Sequence, residues 1–294
     1  MHPFVRRSLG FMGSQPDYAT ADFVLFGVPM DFTVSFQPGS RFGPQAIRNV
    51  SEGLEEYSFY QHRSLEEVRF FDAGDVDLPF GNVKASLARI EAVAQACHGD
   101  RKIPIALGGE HLVTLPLVQG AKAFFPDLAV FHFDAHADLR QDYLGEELSH
   151  ATVMYQVAGL VGPENVYQFG IRSGTAEEYS FGKNNTNFFA HRVLEPLRGV
   201  VADWDGRPVY VTVDIDVVDP AFAPGTGTPE PGGCSSQEIL EALLLVMKLP
   251  VVALDIVEVL PDKDVSQRTA LLAAKLVREA LIGLQLRKEK TFDK

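Results

Sequence analysis

Short apolar runs rich in Val, Ile, Leu and Phe alternate along the chain with longer segments of helical period. Apolar runs without polar alternation are typical of strands that are buried on both faces, as in a parallel sheet with helical crossovers. Seven strands are predicted, at residues 23–28, 68–71, 103–107, 128–133, 166–171, 209–215 and 251–257. Helical periodicity is clearest at residues 83–96, 114–125, 236–247 and 265–286. The pattern predicts the α/β class, with a mostly parallel central sheet and helices on both faces.

The chain has no obvious internal boundary. No linker rich in Ser, Gly or Pro, no internal repeat and no low-complexity block interrupts the pattern. With 294 residues, of which 46% are hydrophobic, the chain can bury one large core. We therefore predict an N-terminal arm over residues 1–20 and a single domain over residues 21–290.

Composition argues against several classes of partner. The 26 Lys and Arg against 39 Asp and Glu give a net charge of −13, whereas binding to nucleic acid needs clustered cationic side chains. No stretch approaches the roughly 20 apolar residues of a membrane span, and Arg6-Arg7 is not followed by the apolar run of an export signal. Cys97 and Cys234 lack the spacing of a zinc or redox motif. The expectation is a cytoplasmic protein without nucleic-acid or membrane partners.

Unusual polar residues are concentrated where the predicted strands end. In open α/β sheets, ligands bind outside the carboxyl ends of the strands. Six segments are expected to meet at this edge of the sheet: residues 27–31, 72–75, 108–111, 134–138, 214–219 and 255–258.

Asp134, His136 and Asp138 alternate with alanines directly after an apolar run. An extended backbone puts residues two apart on one face, and Asp214 and Asp216 repeat this spacing after another run. Carboxylates and imidazoles suit Mn, Fe(II), Co or Zn, and bridging aspartates can hold two dications side by side, an arrangement that supports hydrolysis. The alternative, in which these carboxylates only cap a helix or a turn, would bury charge at high cost.

Neighbouring residues have other expected roles. His111 follows two glycines that let a strand turn sharply, and it joins the candidate ligands. His132 lies deeper in its strand and is predicted to be a satisfied core histidine. Asp219 precedes a proline and is predicted to form a turn. The Gly-rich segments 224–233 and 39–44 match neither phosphate-binding pattern and are expected to be shaped loops at a pocket.

Four motifs together resemble the ureohydrolases, the arginase and agmatinase family, and the overall pattern is most like bacterial agmatinases. The motifs are Gly-Gly-Glu-His at 108–111, Asp-Ala-His-Ala-Asp at 134–138, Asp-Ile-Asp-Val-Val-Asp-Pro at 214–220 and Pro-Gly-Thr-Gly-Thr-Pro at 224–229. Further matches at 27–31, 38–44 and 269–275 extend the resemblance over nearly the whole chain. The resemblance implies a three-layer α/β/α sandwich and a binuclear centre with two Mn²⁺ per subunit.

The resemblance also implies that six residues share these two ions. Asp134 and Asp214 would bridge them. The other ligands complete one site or the other: His111 and Asp138 the first, His136 and Asp216 the second. A water between two dications loses a proton near neutral pH, and the resulting hydroxide would attack a guanidinium carbon.

Three residues have implied catalytic roles. Asp138 would orient the hydroxide, and His150 matches the histidine that transfers a proton to the leaving amine. Glu258 matches the carboxylate that binds the guanidinium through paired hydrogen bonds. His150 and Glu258 are therefore also the implied substrate-binding residues. Without the resemblance, His150 could be a surface histidine and Glu258 an internal ion-pair partner.

The implied substrate is a small cationic guanidino compound. Arginases carry Ser-Gly-Asn just before the histidine, where this chain has Glu-Glu-Leu-Ser at 146–149. Agmatine, which would give putrescine and urea, is therefore the first choice. A related amidinohydrolase acting on guanidinobutyrate, guanidinopropionate or arginine would use a basic residue to meet the substrate carboxylate, and Arg140 and Arg172 are candidates. A non-catalytic metal-binding homologue is the remaining alternative.

Two positions depart from the family pattern. Leu112 follows the ligand histidine and Ala151 follows His150, and both are expected to affect the shape of the pocket. The resemblance further implies a homotrimer or homohexamer, and a place in polyamine biosynthesis, towards putrescine and spermidine.

Overall fold

The computed structural model describes residues 2–6 and 10–292. In chain order, its strands are β1 (Val5–Arg6), β2 (Phe23–Val28), β3 (Tyr57–Ser58), β4 (Arg63–Ser64), β5 (Phe70–Val76), β6 (Ile103–Gly108), β7 (Ala129–Phe133), β8 (Val166–Ile171), β9 (Asn187–Ala190), β10 (Val209–Asp214) and β11 (Val251–Val257). Nine of them form one sheet in the order β1-β5-β2-β6-β11-β10-β7-β8-β9, and β3 and β4 form a separate hairpin. All neighbours in the large sheet are parallel except β1 and β5.

Helices cover both faces of this sheet. They are α1 (Gly43–Ser51), α2 (Val83–Gly99), α3 (Thr114–Lys122), α4 (Val153–Val161), α5 (Ala176–Asn185), α6 (Leu194–Ala202), α7 (Ser236–Val246) and α8 (Arg268–Phe292). Helices α1, α6, α7 and α8 contribute to one core cluster, and α2, α3, α4 and α5 pack against another. The predicted three-layer α/β/α sandwich is therefore confirmed. None of the helices in the described part of the chain combines the length and apolar character of a transmembrane segment.

The central strands are buried on both faces, which explains their nearly continuous apolar sequences. Every residue of β2, β7 and β10 is buried. Large aromatic side chains pack across neighbouring strands: the rings of Phe133 and Phe169 stack with centroids 5.1 Å apart, and Phe189 continues the stack at 5.1 Å from Phe169. Such packing holds the strands whose ends carry the polar residues.

The seven predicted strands all belong to this sheet, but one is shifted. Strand β5 extends to Val76, so Asp72 and Asp75 lie inside the strand instead of following it. The prediction that they reach the site is wrong, because Arg48 pairs with both. Its Nε is 2.8 Å from Asp72 Oδ2, and its Nη1 is 2.6 Å from Asp75 Oδ1. A buried guanidinium that satisfies two carboxylates is a structural ion pair of the core.

The four predicted helices correspond to α2, α3, α7 and α8, although α8 starts three residues later and continues to Phe292. Strand β9 and helices α1, α4, α5 and α6 were not predicted. All four residues of β9 are only half-buried, so the apolar signal is weak. The missed helices are 9 or 10 residues long and cover few turns of periodic sequence.

Part of the predicted N-terminal arm packs on the sheet. Strand β1 adds an antiparallel edge beside β5. Phe11 is buried, and its backbone N–H donates to Asp72 Oδ2 at 2.8 Å. Residues 1 and 7–9, which include the second arginine of the Arg-Arg pair, lie outside the described residues. The division between an arm and a domain near residue 20 stays a prediction.

Two glycines let the end of β6 pass very close to its neighbours. A Cβ on Gly109 would lie 2.0 Å from the carbonyl oxygen of Met30, and one on Gly108 would lie 2.5 Å from Cγ1 of Val257. Gly109 N–H donates to Val28 O at 3.0 Å. Neither glycine has a positive φ. Close approach, rather than a left-handed turn, is therefore the reason for glycine here, and it fixes the start of the segment that carries His111.

Gly109→Ala is expected to lower the free energy of unfolding by roughly 1–3 kcal/mol, the usual cost of overpacking, because the new Cβ overlaps the Met30 carbonyl. Gly199→Ala in α6 is the matched control. Nothing lies within 4 Å of that Cβ, and alanine is the better helix former by about 1 kcal/mol. Urea denaturation measures both variants, and equal stabilities would contradict the close approach.

Candidate metal centre and active site

The carboxyl ends of four adjacent strands, β6, β11, β10 and β7, meet in the middle of the sheet. Strands β6 and β7 are consecutive among the large-sheet strands of the chain but are separated in the sheet by β10 and β11, and α/β sheets bind ligands where the strand order reverses in this way. A cavity of about 240 Å³ lies here. Sites for drug-sized ligands begin at roughly 300 Å³, so this cavity suits a small molecule. Six of the predicted metal-binding and catalytic residues line it: His111, His136, Asp138, His150, Asp214 and Glu258.

The buried imidazole of His111 faces three carboxylates. Its Nδ1 lies 3.0 Å from Asp134 Oδ2, 3.2 Å from Asp138 Oδ2 and 3.3 Å from Asp214 Oδ2. Despite these distances, Nδ1 makes no hydrogen bond. A buried polar atom without a partner is costly. One that converges with three carboxylate oxygens has the donor chemistry of a metal ligand.

A hydrogen-bond network fixes the orientation of this imidazole. The Thr212 hydroxyl donates to Asp255 Oδ1 at 2.6 Å, so its oxygen is left to accept from His111 Nε2–H at 3.0 Å. The hydroxyls of Thr114 and Tyr210 also donate to Asp255. The proton on Nε2 leaves the Nδ1 lone pair directed at the carboxylates, as is usual for metal-binding histidines. Asp255, expected at the edge of the sheet, instead lies inside β11 and acts through this network.

A second group of donor atoms lies beside the first. His136 Nδ1 is 2.9 Å from Asp216 Oδ2 and 3.6 Å from Asp134 Oδ1. Asp134 presents its other oxygen to His111, so its carboxylate connects the two groups. The backbone N–H of Asp216 donates to Asp214 Oδ1 at 2.9 Å and fixes that side chain. The spacing of two residues seen in the sequence brings these donors together as expected.

His132 contacts the same group but is unsuited to bind an ion. The side-chain amide of Gln168 donates to its Nδ1 at 3.1 Å, so Nε2 carries the proton and donates to Asp134 Oδ2 at 2.7 Å. Both ring nitrogens are satisfied, as predicted for a core histidine. The contact with Asp134 adds a role that the sequence did not indicate, since it orients the carboxylate shared by the two groups.

The centre concentrates negative charge in the interior of the protein. Asp134, Asp138, Asp214 and Asp216 are all buried. Burial, followed by the charges of Asp216 and Asp134, raises the pKa of Asp214 well above its usual range. Burial opposes the charged form of His136 too, but the carboxylates, Asp216 first, raise its pKa to about 12. The cluster therefore holds protons to balance its charge, a balance that divalent cations would provide with directed bonds. Oxygen and imidazole donors in this number fit a pair of dications.

His150 lies in the wall of the cavity. Its Nδ1 is 2.8 Å from the carbonyl oxygen of Thr33, and its Nε2 is 3.1 Å from Ser35 Oγ. The ring of Tyr143 packs edge-on against the imidazole, with centroids 5.9 Å apart. Burial lowers the pKa of His150, which favours the neutral ring. A neutral imidazole that faces a cavity can take up and deliver a proton.

Glu258, just after β11, and Asp138, in the loop after β7, both have left-handed backbones, with φ of 62° and 52°. Side chains other than glycine adopt this conformation at a cost, and such residues cluster at functional sites. Glu258 Oε1 accepts from His111 N–H at 2.8 Å. Burial, then the nearby charge of Glu110, raises the pKa of Glu258 to about 8. A cation bound beside Glu258 would favour its ionised form.

Arg140 and Arg172 differ in position. Arg140 lines the cavity, where its Nε is 3.4 Å from Glu178 Oε2 and its guanidinium lies 5.0 Å from the centroid of the Tyr143 ring. Arg172 instead donates to backbone carbonyls such as Glu230 O, at 2.7 Å. Arg172 therefore holds the loop after β10, and Arg140 is the basic candidate that reaches the cavity.

The two Gly-rich segments have different outcomes. Segment 224–233 reaches the cavity through Thr228, whose hydroxyl is 3.4 Å from Asp216 Oδ2. Segment 39–44 leads into α1 and borders a different cavity through Arg41 and Phe42. Asp219 forms the expected turn, since its carboxylate accepts three backbone N–H groups.

Of the two departures from the family pattern, only Ala151 lines the cavity. Leu112 is fully buried in the core, so the expectation that it shapes the pocket is wrong. Sequence reasoning also missed several lining residues. These carry no motif of their own: Ser35, Tyr143, Ser173 and Gly174 in loops, and Glu178 in α5.

Loading the centre with Mn(II) is expected to stabilise the protein, because the ions would neutralise buried carboxylates that the unfolded chain exposes. At a hundredfold excess over Kd, one site contributes about 2.7 kcal/mol. The thermal midpoint with and without Mn(II) measures the effect. His111→Ala should remove most of the shift, whereas His62→Asn, at an exposed hairpin position with a left-handed backbone, should keep it. A midpoint insensitive to Mn(II), Co(II) and Zn(II) would contradict a metal centre.

Comparison with known proteins agrees with this geometry. The model of the arginase family matches residues 21–283. An agmatinase of Bacillus anthracis is 52% identical over 276 residues, which cover 93% of this chain and 95% of that protein.

Solved structures show the same fold. The agmatine ureohydrolase of Thermoplasma volcanium superposes with a TM-score of 0.88 at 31% identity, covering 98% of this chain and 97% of that one. The proclavaminate amidino hydrolase of Streptomyces clavuligerus superposes with a TM-score of 0.86 at 31% identity, covering 96% and 98%. The family predicted from the sequence motifs is confirmed: the chain belongs to the arginase family.

Proposed function

We propose that this protein is an agmatinase that uses two Mn²⁺ ions to hydrolyse agmatine to putrescine and urea. The observation that carries the proposal is the buried Nδ1 of His111, which has no hydrogen bond and faces three carboxylate oxygens beside a small cavity that also contains Glu258. The agmatinase and agmatine ureohydrolase among the relatives support the choice of substrate.

Six residues would hold the ions. Asp134 and Asp214 would be shared, His111 and Asp138 would complete one site, and His136 and Asp216 would complete the other. When bound, the two ions supply Lewis-acid activation of a water by lowering its pKa. Asp138 would accept a hydrogen bond from this water and orient it towards the guanidinium carbon.

Glu258 would bind the substrate. A guanidinium donates pairs of hydrogen bonds to a carboxylate. Glu258 Oε1 already accepts one backbone N–H, but carboxylate oxygens retain further lone pairs for the substrate. The substrate cation would favour the charged form of Glu258 and offset the burial that raises its pKa to about 8. The amine that leaves needs a proton. His150, which lines the cavity with a neutral ring, would take up at Nε2 the proton that the water loses and would then pass it to the amine.

The acidity of the site supports a cationic substrate. The cavity contains Asp138, Asp214 and Glu258 in its lining. The chain as a whole carries a net charge of −13, which attracts cations over a longer range. Agmatine fits this charge, because it has a second positive charge in its tail and no carboxylate that the acidic residues would repel.

Protein stripped with a chelator and reloaded with Mn(II) is expected to release urea from agmatine faster than from arginine or 4-guanidinobutyrate, with putrescine and urea in equal amounts. His150→Asn should lower turnover by about 10²–10⁴-fold, the usual contribution of a general acid or base. Faster urea release from another guanidine would change the proposed substrate but not the proposed metal centre. If the metal-loaded protein released urea from none of these guanidines, the result would contradict an enzyme and favour a non-catalytic homologue.

One observation favours a second candidate, an amidinohydrolase for a guanidino acid. Arg140 lines the cavity and is the type of residue that would bind a substrate carboxylate. The proclavaminate amidino hydrolase has a comparable fold. Against this candidate, Glu178 lies 3.4 Å from the Arg140 guanidinium and already offsets part of its charge.

Substituting Arg140 distinguishes these candidates. If agmatine is the substrate, Arg140→Gln should leave kcat/KM for agmatine within a few-fold, since no substrate carboxylate is lost. If a guanidino acid is the substrate, the same change should cost roughly 10–100-fold on 4-guanidinobutyrate, the value of a lost charged hydrogen bond. Arg140→Lys keeps the charge and is the matched control. Agmatine would be rejected if Arg140→Gln lowered kcat/KM strongly for 4-guanidinobutyrate only, and if the wild type also turned over that acid faster than agmatine.

The remaining parts of the proposal concern context. We place the protein in polyamine biosynthesis, supplying putrescine for spermidine, in the cytoplasm and as a homotrimer or homohexamer. The excess of acidic residues argues against nucleic acid as a partner.

A further inference from the structure

Thr33 connects the candidate proton-transfer histidine to a buried carboxylate outside the metal ligands. Its hydroxyl accepts the backbone N–H of His150 at 3.0 Å, and its carbonyl oxygen lies 2.8 Å from His150 Nδ1. The same hydroxyl donates to Glu110 Oε2 at 2.8 Å, and the backbone N–H of Thr33 donates to that oxygen at 2.8 Å as well. Thr33 therefore makes two contacts with His150 and two with Glu110.

These contacts determine which ring nitrogen of His150 carries the proton. A carbonyl oxygen only accepts hydrogen bonds, so His150 Nδ1 must donate to Thr33 O. The neutral ring then has its lone pair on Nε2. Nε2 lies 3.1 Å from Ser35 Oγ, and both residues line the cavity. The atom that exchanges a proton with substrate is therefore Nε2.

Glu110 fixes the position of Thr33 from inside the core. Its side chain is fully buried, and its backbone N–H donates to Met30 O at 2.7 Å. It precedes His111 in the chain, so it shares a rigid segment with a candidate metal ligand. Its Oε1 is buried and has no hydrogen bond, whereas its Oε2 accepts both bonds from Thr33.

The segment that contains Thr33 is held mainly by contacts of its side chains. Residues 31–38 make no backbone–backbone hydrogen bond among those in the described part of the chain. Its side-chain contacts are those of Thr33, the bond from Gly39 N–H to Asp31 Oδ2 at 2.9 Å, the approach of Arg41 Nε to Asp31 Oδ2 at 3.4 Å, and the contact of Ser35 Oγ with His150 Nε2 at 3.1 Å. The Thr33 hydroxyl is the one group among them that bonds to both Glu110 and His150, so its loss would weaken the hold on this loop and on His150 together.

We propose that Thr33 and Glu110 are positioning residues, which hold His150 in the Nδ1–H tautomer with Nε2 directed at the substrate and tie it to the segment that carries His111. The inference rests on the proposed function in one respect, that His150 transfers the proton to the leaving amine. The proposal adds a connection between the candidate metal centre and His150 that runs through protein residues, from His111 through Glu110 and Thr33.

Thr33→Val keeps the size of the side chain and removes its hydroxyl, and Thr33→Ser keeps the hydroxyl. In Mn(II)-loaded protein, Thr33→Val should lower kcat for agmatine by roughly 10–100-fold, a part of the 10²–10⁴-fold that an acid or base contributes. Mn(II) stoichiometry should change little, because no candidate metal ligand is altered, and the loss in kcat should exceed any change in KM. Thr33→Ser should remain within about threefold of wild type. A kcat for Thr33→Val close to wild type, or an equal loss in Thr33→Ser, would overturn the proposal.

A second measurement does not depend on turnover. In full-length protein loaded with diamagnetic Zn(II), ¹⁵N NMR of the imidazole reports which nitrogen is protonated, and His150→Asn identifies the signal. Wild type and Thr33→Ser should show the Nδ1–H form, and Thr33→Val a mixture of tautomers. An Nε2–H form in wild type would overturn the proposal whatever the activity. If wild type shows Nδ1–H but hydrolyses no guanidine, the proposed function fails and the positioning contact stands.

Glu110 provides the second pair of variants if Thr33→Val does not fold. Glu110→Gln retains an oxygen that can accept from Thr33, whereas Glu110→Leu does not. The first should keep the Nδ1–H signal of His150, and the second should lose it. Retention of that signal in both would overturn the role of Glu110.

Discussion

The repulsion among four buried aspartates beside His111 and His136 is the constraint on which the rest of the site depends. No arrangement of protein dipoles alone balances that much charge away from water. The surrounding groups are directed accordingly: Thr212 orients His111, His132 orients Asp134, and backbone N–H groups hold Asp214 and Asp216. The fold supplies the rigidity that keeps these groups in their orientations. Four parallel strands, buried on both faces, end at the same level and deliver their polar residues to one small volume.

Much of this could be predicted because it is local in the chain. Buried parallel strands leave continuous apolar runs, and ligands two residues apart on an extended segment share a face. Asp134, His136 and Asp138 follow that rule, and so do Asp214 and Asp216. The resemblance to a family then added His150 and Glu258, which no periodicity marks. These two are indeed at the cavity with the others.

The failures at the site have the opposite character, since they depend on contacts that are distant in sequence. Asp72 and Asp75 look like strand-end ligands until Arg48 is found between them. Leu112 follows a ligand in the chain but turns into the core. The contacts of Thr33 join residues 77 and 117 positions apart, and nothing in a run of sequence letters records them. Weakly buried β9 and the shorter helices were missed because their periodic signal covers too few residues.

The left-handed backbones of Asp138 and Glu258 have a consequence for how such a protein can change. Glycine or asparagine would relax the backbone at either position, so substitutions that make the fold more robust are available there at the expense of the chemistry. Selection for heat resistance alone would favour these substitutions, and selection for turnover would remove them again. The residues at these two positions should therefore distinguish descendants that kept the reaction from those that kept only the fold.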